Sequence, residues 1–115
     1  MAQKRREKKY AKPAAAFEPL AVGHGGCLAT DRITVEGRRV GYCYREPPEG
    51  VDSGWRFFAG DESDAYLSKA RNLDMYDCNT IANYDPDIVP LLGAPVGSAF
   101  VRDHATGVFV AENDG

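Results

Sequence analysis

No stretch of this 115-residue chain stays apolar for the length a membrane span needs. A bilayer-crossing helix is therefore not expected. Cysteine is scarce: Cys27, Cys43 and Cys78 are odd in number, far apart and without a CxxC pair. That argues against a disulfide framework and against structural zinc, even with His24 and His104 as further ligands. The three thiols read as small buried apolar residues in a reducing cytosol. Motifs of covalent catalysis are missing as well: there is no GxSxG, and no cysteine and histidine are arranged as a pair. The glycine-rich GHGG at Gly23 to Gly26 lacks the lysine and hydroxyl of a phosphate loop, and no helix clearly follows it. It reads as a flexible entry into the first strand. The amino-terminal MAQKRREKKYAKPAAAF is positive but has no apolar run behind it, so it is not expected to be a secretory signal. A cytoplasmic protein without a cofactor or metal is the expectation.

Hydrophobic residues at 43% and charged residues at 27% are those of an ordinary globular protein. The length suits one domain that buries roughly 65% of its unfolded surface. The net charge of −3 conceals an uneven distribution. Residues 1–12 hold Lys4, Arg5, Arg6, Lys8, Lys9 and Lys12 against Glu7 alone, a net of +5. The other 103 residues hold 8 basic and 16 acidic side chains, a net of −8. Residues 1–19 are accordingly expected to form a basic, disordered arm, and residues 20–115 an acidic domain. An acidic body repels nucleic acid and speeds encounter with basic partners.

Local patterns predict an α+β domain, mainly an antiparallel sheet of four to five strands with two or three short helices. Cys27 to Thr30 reads as a short strand, and DRITVEG as a turn or single helical turn closed by Gly37. RRVGYCYRE alternates, with Val40, Tyr42 and Tyr44 on one face and Gly41, Cys43 and Arg45 on the other. PPEGVDSG breaks the run, and WRFFAG resumes it with Trp55, Phe57 and Ala59 opposite Arg56 and Phe58. The two runs should pair antiparallel, placing Arg45 and Arg56 near the loop end and open to being cross-strand neighbours. Asp61 is expected to cap a helix beginning at DESDAYLSKARN, with Asp64 reaching back and Tyr66 and Leu67 facing the sheet. Asp77 or Asn79 would cap a turn carrying Ile81. Asp85 followed by Pro86 starts a short helix ending near Gly93. GSAFVRD and GVFVAEN form a terminal hairpin.

The stretch DSGWRFFAGDESDAY sets the only tryptophan beside the densest acid cluster. Its carboxylates do not match a calcium loop, and a chain this small is a poor frame for the paired carboxyls of glycoside hydrolysis. Trp55 belongs in the core with Phe57. Phe58 should point the other way with Arg56. Either helices cover both faces of the sheet, or Phe58 is a surface aromatic available to a partner.

The blocks GGCLATDRITVEGRRVGYCYREPP, DSGWRFFAGDESDAY and NTIANYDPDIVPLLGAPVGSAFVRD, in that order, resemble the bacterial DUF2185 domain, also called the immunity protein Imm33 domain. The resemblance spans Gly25 to Asp103. It implies a non-enzymatic antitoxin of polymorphic toxin systems, whose partner is a cognate toxin domain. It brings no catalytic residues. The partner surface expected here is acidic, formed by Asp61, Glu62, Asp64, Asp74, Asp77 and Asp87, with Phe58 and Tyr66 as anchors. Such a surface would suit a basic nuclease, its carboxylates standing where phosphates otherwise bind. An alternative is a small-molecule or enzymatic cleft that uses Arg45, Arg56 and nearby acids beside Trp55. A third reading has the acidic domain restrain nucleic-acid binding by the basic arm.

Overall fold

The computed structural model describes residues 8–112. Among them, six strands form one mixed sheet in the order β4-β1-β3-β2-β5-β6. They are β1 Gly26–Thr30, β2 Tyr42–Arg45, β3 Asp52–Phe58, β4 Leu73–Asp77, β5 Ala99–Arg102 and β6 Phe109–Ala111. The helices are α1 Asp31–Thr34, α2 Asp64–Leu67 and α3 Cys78–Tyr84, with short 3-10 turns at Ala14–Ala16, Ala70–Asn72 and Pro86–Leu91. The α+β class is as expected, with six strands instead of four or five. The strand missing from the expectation is β4. Two of its five residues, Asp74 and Asp77, are acidic, and it lies at the sheet's edge, where charge is tolerated. One pairing, β1 with β3, is parallel; the other four are antiparallel.

The β2–β3 hairpin forms as expected, with Cys43 opposite Phe57 and Tyr44 opposite Arg56. Its loop end is tightened at Gly54, which has φ +95. A Cβ there would stand 1.9 Å from the Glu46 carbonyl oxygen, so the close approach of the two backbones requires glycine. Here β3 also slips against β1: Gly26 pairs with Asp52, but Cys27 pairs with Trp55. This bulge sets Trp55 and Phe57 inward.

One face of the sheet carries the core. Cys27, Ala29, Cys43, Trp55 and Phe57 are buried against Ile33 of α1, Ile81 of α3 and Ile88 of the 3-10 turn. Trp55 stacks on Phe57 at 5.9 Å between ring centres and donates Nε1–H to the Leu92 carbonyl at 3.2 Å. Fully burying side chains of this size is worth ~1.5–3 kcal/mol each. All three cysteines are free and buried. Burial pushes the Cys43 thiol up to about 12.

Two local expectations change. Val40 is buried, but within β2 the buried residue is Cys43, while Tyr42 and Tyr44 turn to the opposite face. The alternation shifts phase at Gly41, where a Cβ would meet the Ala59 carbonyl oxygen at 2.0 Å. The cap of α2 is Ser63, whose hydroxyl accepts from Tyr66 N, so the helix starts at Asp64 and not beside Asp61. Elsewhere the start signals hold. Asp77 caps α3 by accepting from Asn79 N, and Asp85 caps Pro86–Leu91 by accepting from Asp87 N.

Residues 8–21 run across the helices. Ala11 N donates to the Thr34 carbonyl at 2.8 Å, and the Tyr10 ring meets Tyr76 edge-on. One helical turn apart on α3, Asn79 and Asn83 hold the backbone of the segment. Asn79 Oδ1 accepts from Leu20 N and Ala21 N, and Asn83 Oδ1 accepts from Glu18 N. Both side-chain amides donate to the Glu18 carbonyl. The disordered arm was expected over residues 1–19; residues 1–7 lie outside the described residues.

Candidate partner-binding surface

The six expected acids lie in different surroundings. Asp61 is held by Arg38 and lies 3.3 Å from Arg32 Nε. The Asp61 hydrogen bond, and then its charge, raises the Arg38 guanidinium above its ordinary value. Asp87 is flanked by Arg102 at 2.9 Å and Arg39 at 2.5 Å, and those two hydrogen bonds hold its carboxyl below the usual range. Asp74 accepts from Lys8 Nζ at 2.6 Å, and Asp31 accepts from the same ammonium at 2.7 Å. Burial opposes the charge on Lys8, but the two carboxylates outweigh it and raise its pKa. Glu62 turns back on the chain and accepts from Ala59 N at 2.8 Å, Gly60 N at 2.9 Å and Thr30 Oγ1 at 2.6 Å. Asp77 caps α3. Asp64 stands in the first turn of α2, where the helix's positive end favours a carboxylate. The structure therefore distributes these groups over both ends and one edge of the sheet.

Arg45 and Arg56 are not neighbours. The register sets Arg45 opposite Trp55 and Arg56 opposite Tyr44, so the two guanidinium groups leave opposite faces of the sheet. Arg45 donates to the carbonyls of Ser53 at 2.9 Å and Ala94 at 2.8 Å, with its guanidinium 5.9 Å from the Trp55 ring centre. Arg56 forms a fork on Asp52, at 3.0 and 2.8 Å, and donates Nε–H to Glu46 at 2.7 Å. The fork and the backbone donor at Gly54 hold the Asp52 carboxyl below its ordinary value, against the opposing effect of burial. Among the described residues, no three His, Cys, Asp or Glu come together in a way that could hold a metal ion.

Tyr66 faces inward. Its ring lies under the Arg32 guanidinium at 4.6 Å, and its hydroxyl is buried without a hydrogen-bond partner among the described residues. Burial, and then the nearby Asp31 charge, raises its pKa. Phe58 does the opposite. Its ring stacks on Tyr44 at 5.8 Å and leans on Tyr42 at 6.0 Å, on the face away from the core.

The sequence pointed to that second face only through Phe58. The registers line up two rows across it. One runs Met75, Leu28, Arg56, Tyr44 and Ala99; the other includes Phe58, Tyr42, Val101 and Val110. Met75 is 50% exposed, Val101 37% and Val110 54%. Leu67 of α2 reaches the margin and, with Tyr42, Tyr44, Phe58, Gly60 and Glu62, encloses a notch of about 290 Å³. The signal for this face was the pairing of Phe58 with Arg56. Tyr42 and Tyr44 were hidden by the phase shift at Gly41.

The family model of the immunity protein Imm33 domain matches residues 27–112. No curated protein and no solved structure matches the chain. Among the described residues, no helix is long and apolar enough to cross a membrane.

Proposed function

The chain belongs to the immunity protein Imm33 domain family, and from that premise we propose that it neutralises a bacterial toxin by direct, stoichiometric contact in the cytoplasm. The observation that carries contact over chemistry is the fate of the ionisable groups. The suspected acids cap helices, close turns or pair with arginine and lysine, and the two suspected arginines brace opposite faces of the sheet. These are fold-building roles. A cleft that uses Arg45 and Arg56 together has no support from this arrangement.

The partner we infer is a toxin domain with a basic surface, of the kind a nuclease presents. The net negative charge, −3 over the whole chain with Lys8 and Lys12 lying against the acidic domain, would speed its approach, and much of that effect would fade with salt. Paired as they are, Asp61, Asp74 and Asp87 are largely neutralised by Arg32, Arg38, Lys8, Arg39 and Arg102 and add little to the long-range field; Asp64 is the member of the set left for a direct contact.

The test titrates the activity of candidate toxin domains with the chain. Inhibition that rises linearly and breaks at a fixed ratio of chain to toxin supports the proposal. Full inhibition by trace amounts of chain, with the toxin left covalently altered, would show that the protein works as an enzyme.

A further inference from the structure

We infer that the open face of the sheet is the toxin-docking surface, and that its occupant is an apolar patch on the toxin bordered by lysine or arginine. This rests on the contact reading above and names the site for it. A sheet normally buries one face against another layer. Here α1, α3 and the Pro86–Leu91 turn lie on the Trp55 side, while α2 reaches the other face at one margin through Leu67. What remains is a largely apolar face across β4, β1, β3, β2, β5 and β6, interrupted at its centre by Arg56 with Asp52 and Glu46, with Met75 and Val110 about half exposed near its two ends. Contiguous apolar surface of this kind marks interaction sites on soluble proteins.

Charge identifies the partner. Among the described residues, the charged groups on this face include Arg56, Glu46 and Asp52, Asp77 beside Met75 on β4, and Glu62 at the rim of the notch. The guanidinium is saturated by its two carboxylates, so these groups together are net negative. Glu46 is the most accessible, its side chain 48% exposed. A cation on the partner can reach it without displacing Arg56. The notch between Leu67 and the stacked Tyr44 and Phe58 is apolar and large enough for one aliphatic or aromatic side chain. Rigid aromatic walls around such a notch are what interface anchors use.

The experiment uses the full chain and the same toxin as the titration. Leu67→Ala and Tyr44→Ala should each weaken binding at least ~10-fold, as loss of an anchor does. Glu46→Gln should slow association severalfold at low salt and make little difference at high salt. Circular dichroism and Tm check that each variant folds. If folded Leu67→Ala and Tyr44→Ala variants bind as the parent does, the site is elsewhere, although a wild-type titration break would leave the contact reading standing. If the wild type itself fails to titrate the toxin, the contact reading is what fails. If the chain alone is a dimer that Val101→Glu splits, the occupant is a second copy and the inference is overturned.

Discussion

On the helical side of the sheet, polar groups are answered one by one. Asp85 is 2% exposed, and its carboxylate accepts from Val40 N at 2.9 Å and from Arg102. Asn79 and Asn83 satisfy the backbone of residues 18–21, and Lys8 bridges Asp31 and Asp74. On the open side, the central ionic cluster sits among Leu28, Tyr44 and Met75, with Arg56 itself buried between Asp52 and Glu46 and with Glu46 and Met75 about half exposed. The difference separates groups that make the fold from groups left for something else. In the proposed reading, most of the charge conspicuous in the sequence is of the first kind and the aromatic rows are of the second.

Paired substitutions can break this contrast. The largest effect should come from adjacent phenylalanines. Phe57→Ala on the core face should cost about 4 kcal/mol in urea unfolding, and Phe58→Ala on the open face clearly less. Equal costs would mean that the open face is packed like a core. Next, Asp85→Ala should cost about 3 kcal/mol by removing the buried partner of Arg102 and Val40 N, whereas Asp61→Ala should stay below about 1 kcal/mol. A third comparison concerns the segment outside the family match. Asn83→Ala should cost about 1–2 kcal/mol by orphaning Glu18 N–H, and should raise amide exchange over residues 18–21 more than over β2.

The smallest effect is in acid. Asp52 has a lowered pKa in the fold, so its contribution is complete above its unfolded value and is lost as pH falls through the lower folded one. The stability gap between wild type and Asp52→Asn should therefore be constant near neutrality and shrink below about pH 4. A gap that grows in acid would reverse the sign assigned to this pair.

Much of this architecture was legible from short-range pattern. The β2–β3 hairpin, the inward Trp55 and Phe57, the Asp85–Pro86 start and the β5–β6 hairpin all follow from alternation and turn chemistry. What escaped depends on contacts between distant residues. Lys8 and Asp74 are 66 positions apart, and no local pattern announces that they meet. The capping set around α2 misled for a different reason. Asp61, Ser63 and Asp64 can each serve a helix start, and only the path of the chain out of Gly60 selects Ser63. Tyr42 and Tyr44 look like core residues by type; their outward face accompanies a close approach of the Gly41 and Ala59 backbones that the alternation cannot register.

The most direct test measures the toxin affinity of two folded variants side by side. One is Val101→Glu on the open face; the other is the triple Asp61→Asn, Asp74→Asn, Asp87→Asn. At physiological salt, the first should lose at least ~10-fold in affinity and the second no more than ~3-fold. The reverse order, with the triple variant crippled and Val101→Glu unaffected, would contradict the assignment of the open face and return recognition to the acids.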